Sequence, residues 1–192
     1  MTPIEIIVIG CSLGGMRALE TILSALPATF RVPIAAVQHR HKTSNEALPM
    51  FLRKTSKLRV VDVEDKLWIK GGSVYLAPAD YHLLVERGTF SLSVDDRVSY
   101  SRPSIDVLFE SAADAYRDQV VGVVLTGSNN DGARGAKRIK ARGGFLVVQE
   151  PKTAEAPQMP QAAIDAVRVD RILPLERIGP FLVELCGSMA RS

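Results

Sequence analysis

Short apolar runs alternate along this chain with longer stretches in which apolar residues recur every three or four positions. The apolar runs predict buried parallel strands, and the helical spacing predicts amphipathic helices between them. The predicted strands cover residues 4–9, 32–37, 58–63, 74–78, 120–125, 145–149 and 171–173. This alternation predicts an α/β fold, with a doubly wound, mostly parallel sheet that has helices on both faces.

One part of the pattern departs from this alternation. Residues 82–85 and 90–94 have the pattern of two strands joined by a tight turn at Arg87 and Gly88, which predicts an antiparallel hairpin. We expect this hairpin to be a small annex on an otherwise parallel sheet. No linker or internal repeat interrupts the chain, so residues 1–192 are predicted to be one domain.

Several helix boundaries also follow from the pattern. Ser104 is predicted to cap a helix that starts at residue 105, with Asp106 favourably placed in its first turn. A basic helix over 134–142 is expected to present a solvated face, and the alternative is that it attracts an acidic protein surface. After a proline-containing loop that includes Met159, a short helix is expected around 162–167.

The first predicted strand leads directly into Gly10-x-Ser12-x-Gly14. This is the spacing of a nucleophile elbow, in which flanking glycines allow a sharp strand-to-helix turn that exposes a serine hydroxyl. A dinucleotide fingerprint would need glycine at position 12. Two other interpretations stay open: Ser12 caps the following helix, or it belongs to a glycine-rich loop that binds an anion.

Two further residues with suitable chemistry follow predicted strands. His39 lies just after the second strand, and Asp131 lies in the loop after the long apolar strand at 120–125. Catalytic groups collect at the carboxyl ends of parallel strands, so these residues and Ser12 form a candidate Ser-His-Asp triad. In it, His39 would accept the serine proton and Asp131 would orient the imidazole.

These assignments have alternatives in the sequence. His41 competes with His39 for the role of base, and His82, which starts the hairpin, is expected to be structural. Asp131 is equally well placed to cap the helix that begins at Gly132. No histidine follows Asp131, which excludes the chain order of an α/β-hydrolase triad.

Composition narrows the function classes further. The chain has 192 residues, 46% of them hydrophobic and 23% charged, as in ordinary globular proteins. A net charge of +3 with few aromatic residues gives no indication of nucleic-acid binding. The N-terminal apolar run is too short for a signal peptide or a membrane span. Cys11 and Cys186 are far apart without neighbouring ligands, so no metal site or disulfide is predicted and a cytoplasmic location is expected.

Six ordered blocks of the sequence resemble the catalytic domain of the CheB family, the chemotaxis protein-glutamate methylesterases. The resemblance runs from about residue 4 to about residue 185. The blocks are Ile9-Gly10-Cys11-Ser12-Leu13-Gly14-Gly15, Val37-Gln38-His39, residues 76–78 with 82–85, residues 102–109, residues 123–127 with 131–133, and Met159-Pro160.

The resemblance implies a triad of Ser12, His39 and Asp131 that hydrolyses glutamate methyl esters on the cytoplasmic helices of methylated chemoreceptors. It also implies deamidation of receptor glutamines, and it requires no metal or organic cofactor. Backbone N–H groups near His39 and Ser128 would hold the oxyanion. The further candidates for oxyanion or substrate binding are Leu13, Gly14, Ser128, Arg102 and Met159.

Three positions depart from the family pattern. The family usually has threonine at Leu13, Gly-Met-Gly where this chain has Gly127-Ser128-Asn129-Asn130, and glycine at Gln158. The changes at Leu13 and at residues 128–130 favour one rival hypothesis, a catalytically weak or inactive domain that binds a receptor or signalling partner.

A second rival is a module that binds a phosphorylated small molecule at residues 10–15. Family members in chemotaxis commonly carry a phosphorylatable receiver domain before the catalytic one. Here the first catalytic strand begins at Ile4. We therefore expect a stand-alone form or a fragment, with no phosphorylation control inside this chain.

Overall fold

The computed structural model describes residues 2–39 and 47–189. This part of the chain forms nine strands, six α-helices and two short 3₁₀ turns. In chain order the elements are β1 (Ile6–Cys11), α1 (Gly15–Ala25), β2 (Ile34–Gln38), α2 (Ala47–Thr55), β3 (Arg59–Asp62), β4 (Ser73–Leu76), β5 (His82–Glu86), β6 (Thr89–Ser93), α3 (Ile105–Tyr116), β7 (Val120–Val124), α4 (Ala133–Ala141), β8 (Phe145–Gln149), α5 (Gln158–Ala166), β9 (Arg171–Leu173) and α6 (Leu175–Met189).

Seven strands form one sheet in the order β3-β4-β2-β1-β7-β8-β9, and every pair in it is parallel. From β1 the chain first builds the β2 side of the sheet and later returns to build the β7 side. This reversal makes β1 the switch point of a doubly wound sheet, the place where such folds bind ligands. The predicted fold class is confirmed.

Alternate side chains of β1 enter two separate hydrophobic cores. Ile6 and Val8 pack with α3, α4, α5 and the hairpin on one face, whereas Ile7 and Ile9 pack with α1, α2 and α6 on the other. All six residues of β1 are buried, because a central strand of a three-layer fold is covered on both faces. The strand begins and ends two residues later than its apolar run predicts.

The hairpin has its predicted strands and its turn at Arg87 and Gly88, but it forms a two-stranded sheet of its own. It packs on α3, where the Ser111 hydroxyl accepts a hydrogen bond from Val85 N. The predicted antiparallel annex is therefore confirmed, and it lies beside the parallel sheet without pairing with it. Its apolar face is buried by a helix, which is an equally good solution for a short hairpin.

Helix α5 begins at Gln158, earlier than the predicted 162–167, so Met159 and Pro160 are helical. Proline is compatible with the first turn of a helix, where its missing N–H would have no partner inside the helix. Met159 and Pro160 therefore belong to the first turn of this helix, whereas Pro151 and Pro157 lie before it.

The basic face of α4 is paired with acidic residues of α3. Arg134 contacts Glu110, and Arg138 and Arg142 both contact Asp114, at 2.5 to 2.8 Å. These arginines therefore join two helices of the same chain, which leaves less of their charge for an acidic partner than the sequence suggests. Among the described residues, no helix is long and apolar enough to cross a membrane. The assignment of residues 1–192 to one domain stays a prediction.

We expect Gly135→Ala to destabilise the fold by about 1–3 kcal/mol through overpacking at the crossing of α3 and α4. A Cβ on Gly135 would lie 2.5 Å from Phe109 Cβ and 3.2 Å from the Asp106 backbone. Gly187, also helical, has nothing within 4 Å of an added Cβ. Gly187→Ala is the matched control, and it should gain up to about 1 kcal/mol from helix propensity. Urea unfolding of both variants measures the difference, and equal effects would contradict the packing argument.

Candidate active site

Ser12 is the first residue after β1, in a tight turn that leads into α1. Its N–H donates to Thr126 O at 2.9 Å, and its carbonyl accepts from Gly15 N and from the Gln38 side chain, both at 2.8 Å. Gly14 has a φ of 77°, a left-handed conformation that glycine adopts without strain. The predicted sequence of strand, tight turn and helix is confirmed.

The interpretation of Ser12 as a helix cap is wrong. The N-cap residue of α1 is Gly14, and no side chain in the described part of the chain caps that helix. Among residues 2–39 and 47–189, no atom forms a hydrogen bond with the Ser12 hydroxyl, which lines an open cleft together with His39, Leu13 and Met16. The hydroxyl is therefore available to a molecule in the cleft.

His39 follows β2 directly, beside the end of β1. Its Nε2 lies 2.7 Å from Asp131 Oδ2, and the Asp131 side chain is completely buried. The sheet register explains the approach, because Cys11 pairs with Gln38 and Cys11 O accepts a hydrogen bond from His39 N. The predicted convergence of His39 and Asp131 is therefore observed. His41, the alternative base, lies outside the described residues.

Asp131 caps a different helix from the one that its sequence position suggests. Its carboxylate accepts hydrogen bonds from Ile105 N at 2.7 Å and Asp106 N at 3.0 Å, the first turn of α3. The Ser104 hydroxyl also donates to it, at 2.9 Å, and does not cap α3 itself. Ser104 occupies the predicted N-cap position of α3, but its hydroxyl bonds to Asp131 and not to the helix. The prediction that Asp131 caps α4 is wrong.

Helix α4, whose N-cap residue is Gly132, is capped by a side chain of α3. One oxygen of Asp106, Oδ1, accepts from Gly132 N at 2.9 Å and from Gly135 N at 2.7 Å. Each acid thus caps the helix of the other: Asp131 accepts hydrogen bonds from N–H groups at the start of α3, and Asp106 accepts them at the start of α4. Each exchange relieves free N–H groups at a helix start, where negative charge is also favourable.

The two carboxylates titrate in opposite directions from their ordinary values. Burial raises the pKa of Asp131, but hydrogen bonds from His39 and from the backbone N–H groups outweigh burial, so the net pKa is lowered. For Asp106, burial is the largest effect and the charge of Asp131 adds to it, so its pKa is raised despite the bond from Gly135. The acid next to His39 is therefore the one held in its ionised form.

His82 has the structural role expected of it. It is buried, its Nδ1 accepts a hydrogen bond from Ser104 N at 3.2 Å, and its Nε2 lies 3.0 Å from Asp96 O. Because the carbonyl can only accept, Nε2 carries the proton. His82 thereby fixes the backbone of Ser104, whose hydroxyl contacts Asp131.

The five candidates for oxyanion or substrate binding lie in three different settings. Leu13 and Gly14 line the cleft with Ser12, and Ser128 follows Gly127, which lies close to Ser12. Within the described residues the N–H groups of Leu13 and Ser128 make no hydrogen bond. Arg102 is held by Asp80 and by the carbonyls of Val94 and Asp95. Met159 is buried at 1% exposure below Gly127. Their roles in binding stay predictions.

Cys11, next to Ser12, is buried, and burial raises the pKa of its thiol far above the ordinary value. It is therefore a poor nucleophile at neutral pH. In the part of the chain that the structure describes, no three histidine, cysteine or acidic side chains are grouped as metal ligands. The absence of a cofactor stays a prediction.

Comparison with known proteins shows the family of the chain. A family model described as CheB methylesterase matches residues 7–182, which include all three candidate triad residues. The chain belongs to the CheB methylesterase family. It is 36% identical to the crystal structure of the Thermotoga maritima CheB methylesterase catalytic domain, with a TM-score of 0.91. The match covers 96% of this chain and all of that one.

Sequence relatives of this CheB family member differ in length. A protein of Leptospira interrogans serovar Lai, provisionally named protein-glutamate methylesterase/protein-glutamine glutaminase, is 50% identical over 94% of both chains. The Thermotoga maritima enzyme of that name and the Myxococcus xanthus protein-glutamate methylesterase FrzG are each 36% identical. The chain spans 54% and 55% of their lengths, so it corresponds to their catalytic part alone.

Asp131→Asn and Asp106→Asn should change the pH dependence of stability in opposite directions. The pKa of Asp131 is lowered from an unfolded value of about 3.9, so its contribution is complete above that value and is lost as pH falls through the folded-state pKa. The loss of unfolding free energy caused by Asp131→Asn should therefore be smaller at acid pH. The pKa of Asp106 is raised, so its ionisation lowers the stability of the fold as pH rises through that pKa. The unfolding free energy of Asp106→Asn should therefore increase relative to that of the native chain towards pH 7.

Asp106→Asn keeps the hydrogen bonds from Gly132 N and Gly135 N, because both are accepted by Oδ1, which asparagine retains. Urea unfolding of the native chain and both variants between pH 3 and pH 7 gives the free energies. Parallel curves for the two variants would contradict the opposite pKa shifts.

Proposed function

We propose that this chain is a cytoplasmic serine esterase that hydrolyses glutamyl methyl esters on the helices of methylated chemoreceptors, and that it also deamidates glutamines there. The observation that carries the proposal is the 2.7 Å contact between His39 and buried, ionised Asp131, at the cleft that Ser12 lines. Family membership and the names of the relatives support the same reaction.

The proposed mechanism uses the two nitrogens of His39 for different purposes. Nε2 donates to Asp131, so Nδ1 is the nitrogen left to take the proton of Ser12. Ser12 Oγ attacks the ester carbonyl, and methanol leaves with a proton returned by Nδ1. Water then hydrolyses the acyl-enzyme by the same proton path, and the product is a glutamate carboxylate.

The N–H groups of Leu13 and Ser128 are the proposed donors to the oxyanion. Leu13 follows the nucleophile, the usual place of one such donor in an elbow. Ser128 follows Gly127, whose added Cβ would lie only 3.0 Å from Ser12 Cβ, so this loop runs close to the nucleophile. Leu13 in place of the family's threonine removes a hydroxyl but keeps the amide.

The surface around Ser12 suits a protein substrate. The side chains of Leu13 and Met16 are about half exposed at the cleft, and Arg17 and Glu155 also line it. Apolar side chains with charged neighbours complement the face of an amphipathic helix, the form in which a receptor would present its ester. No nucleic acid enters this proposal.

Ser12→Ala should abolish methanol release from a methylated receptor cytoplasmic fragment, with a loss on the order of 10³-fold or more. His39→Ala should be similarly impaired, since the nucleophile loses its base. Ser24→Ala is the matched control, because Ser24 is an exposed serine of α1 whose hydroxyl, among the described residues, bonds only to Thr21 O. This control should retain full activity.

A serine-directed phosphonate separates the rival hypotheses. The proposal predicts labelling of Ser12 that His39→Ala abolishes. A folded native chain that neither labels nor releases methanol from several receptors would overturn the esterase in favour of a binding domain. Stabilisation by phosphorylated small molecules without labelling would favour the anion-binding module.

A further inference from the structure

Asn129 lies two residues before Asp131, in the loop where this chain departs from the usual Gly-Met-Gly. Its side chain is half-buried, and its Oδ1 accepts a hydrogen bond from Asp131 N at 3.1 Å. That bond fixes the orientation of the amide, because only the oxygen can accept. The Nδ2 group is then directed to His39, 3.5 Å from its Nδ1.

The charge of Asp131 determines which nitrogen of His39 carries the proton. Ionised Asp131 can only accept, so His39 Nε2 donates to it, and in the neutral imidazole Nδ1 carries the lone pair. Asn129 Nδ2 is a donor, so its contact with that lone pair is favourable. Asp131, His39 and Asn129 thus form a closed ring of three hydrogen bonds.

We propose that Asn129 is a positioning residue of the active site that holds the His39 ring by donating a hydrogen bond to its Nδ1. This rests on the proposed function, in which Nδ1 accepts the proton of Ser12. A donor on the lone pair favours neutral imidazole over imidazolium, because protonated Nδ1 would face the amide N–H group. At 3.5 Å the bond is weak, so the Ser12 hydroxyl displaces it at little cost.

Other charges also act on His39 and must be held constant. Asp131 contacts the ring, and Asp106 and Arg134 lie behind Asp131 at the starts of α3 and α4. Arg17 of α1 and Glu155 line the cleft next to His39. A variant of Asn129 leaves all five of these in place.

NMR titration of the histidine side chains tests the proposal without relying on catalysis. The native chain, Asn129→Asp, Asn129→Ala and Asn130→Asp are titrated, and the His39 signal is assigned by its loss in His39→Gln. Asn129→Asp places a carboxylate where Nδ2 was, and should raise the pKa of His39 by about 1 or more. Asn129→Ala removes the donor and should raise it by a smaller amount.

Asn130→Asp is the matched control, because Asn130 is exposed and its side chain makes no hydrogen bond within the described residues. It adds the same charge one residue away without contact to His39. The pH profile of Ser12 labelling by a phosphonate should move to higher pH in Asn129→Asp by the same amount as the NMR pKa, and move little in Asn130→Asp.

The outcomes separate the two proposals. Equal shifts of the His39 pKa in Asn129→Asp and Asn130→Asp would overturn the role of Asn129, because a long-range charge would then explain both. Unchanged values in folded Asn129→Asp and Asn129→Ala would overturn it as well. If the expected NMR shifts occur but Ser12 does not label, Asn129 contacts His39 as inferred and the esterase proposal fails.

Discussion

The buried carboxylate of Asp131 is the constraint on which this structure depends. A charge without access to water is tolerated only where hydrogen bonds replace its hydration. Asp131 receives four, from His39, from the Ser104 hydroxyl and from two N–H groups that begin α3. The end of β2, the start of α3 and the loop after β7 are therefore fixed together by one side chain.

The exchange of caps with Asp106 extends this constraint to α4. Helices α3 and α4 pack side by side, and each is capped by an acid that lies in or next to the other. Arginine–carboxylate pairs join the two helices further along their length. Asp131, the acid nearer the cleft, accepts a hydrogen bond from His39 and stays ionised. The other has no such partner and its pKa rises, although it caps a helix equally well. Both carboxylates cap a helix, but Asp131 also contacts the candidate base His39, whereas Asp106 contributes to stability.

The sheet supplies the meeting point for this chemistry. A doubly wound sheet brings the ends of β1, β2 and the loop after β7 together at its switch point, where Ser12, His39 and Asp131 lie. The glycine at position 14 and the wholly buried β1 hold the serine at the turn. Asn129 adds a further side chain to the contacts of His39.

The sequence by itself determined the elements and the place of the site. Apolar runs and helical spacing predicted the parallel sheet, the elbow at Ser12 and the hairpin turn, because these depend on near neighbours in the chain. Only the tertiary structure decided which helix each acid caps, which nitrogen of His39 faces Asp131, and that the hairpin forms a sheet of its own. Those contacts join residues 25 or more positions apart, where short-range patterns carry no information and geometry alone selects the partner.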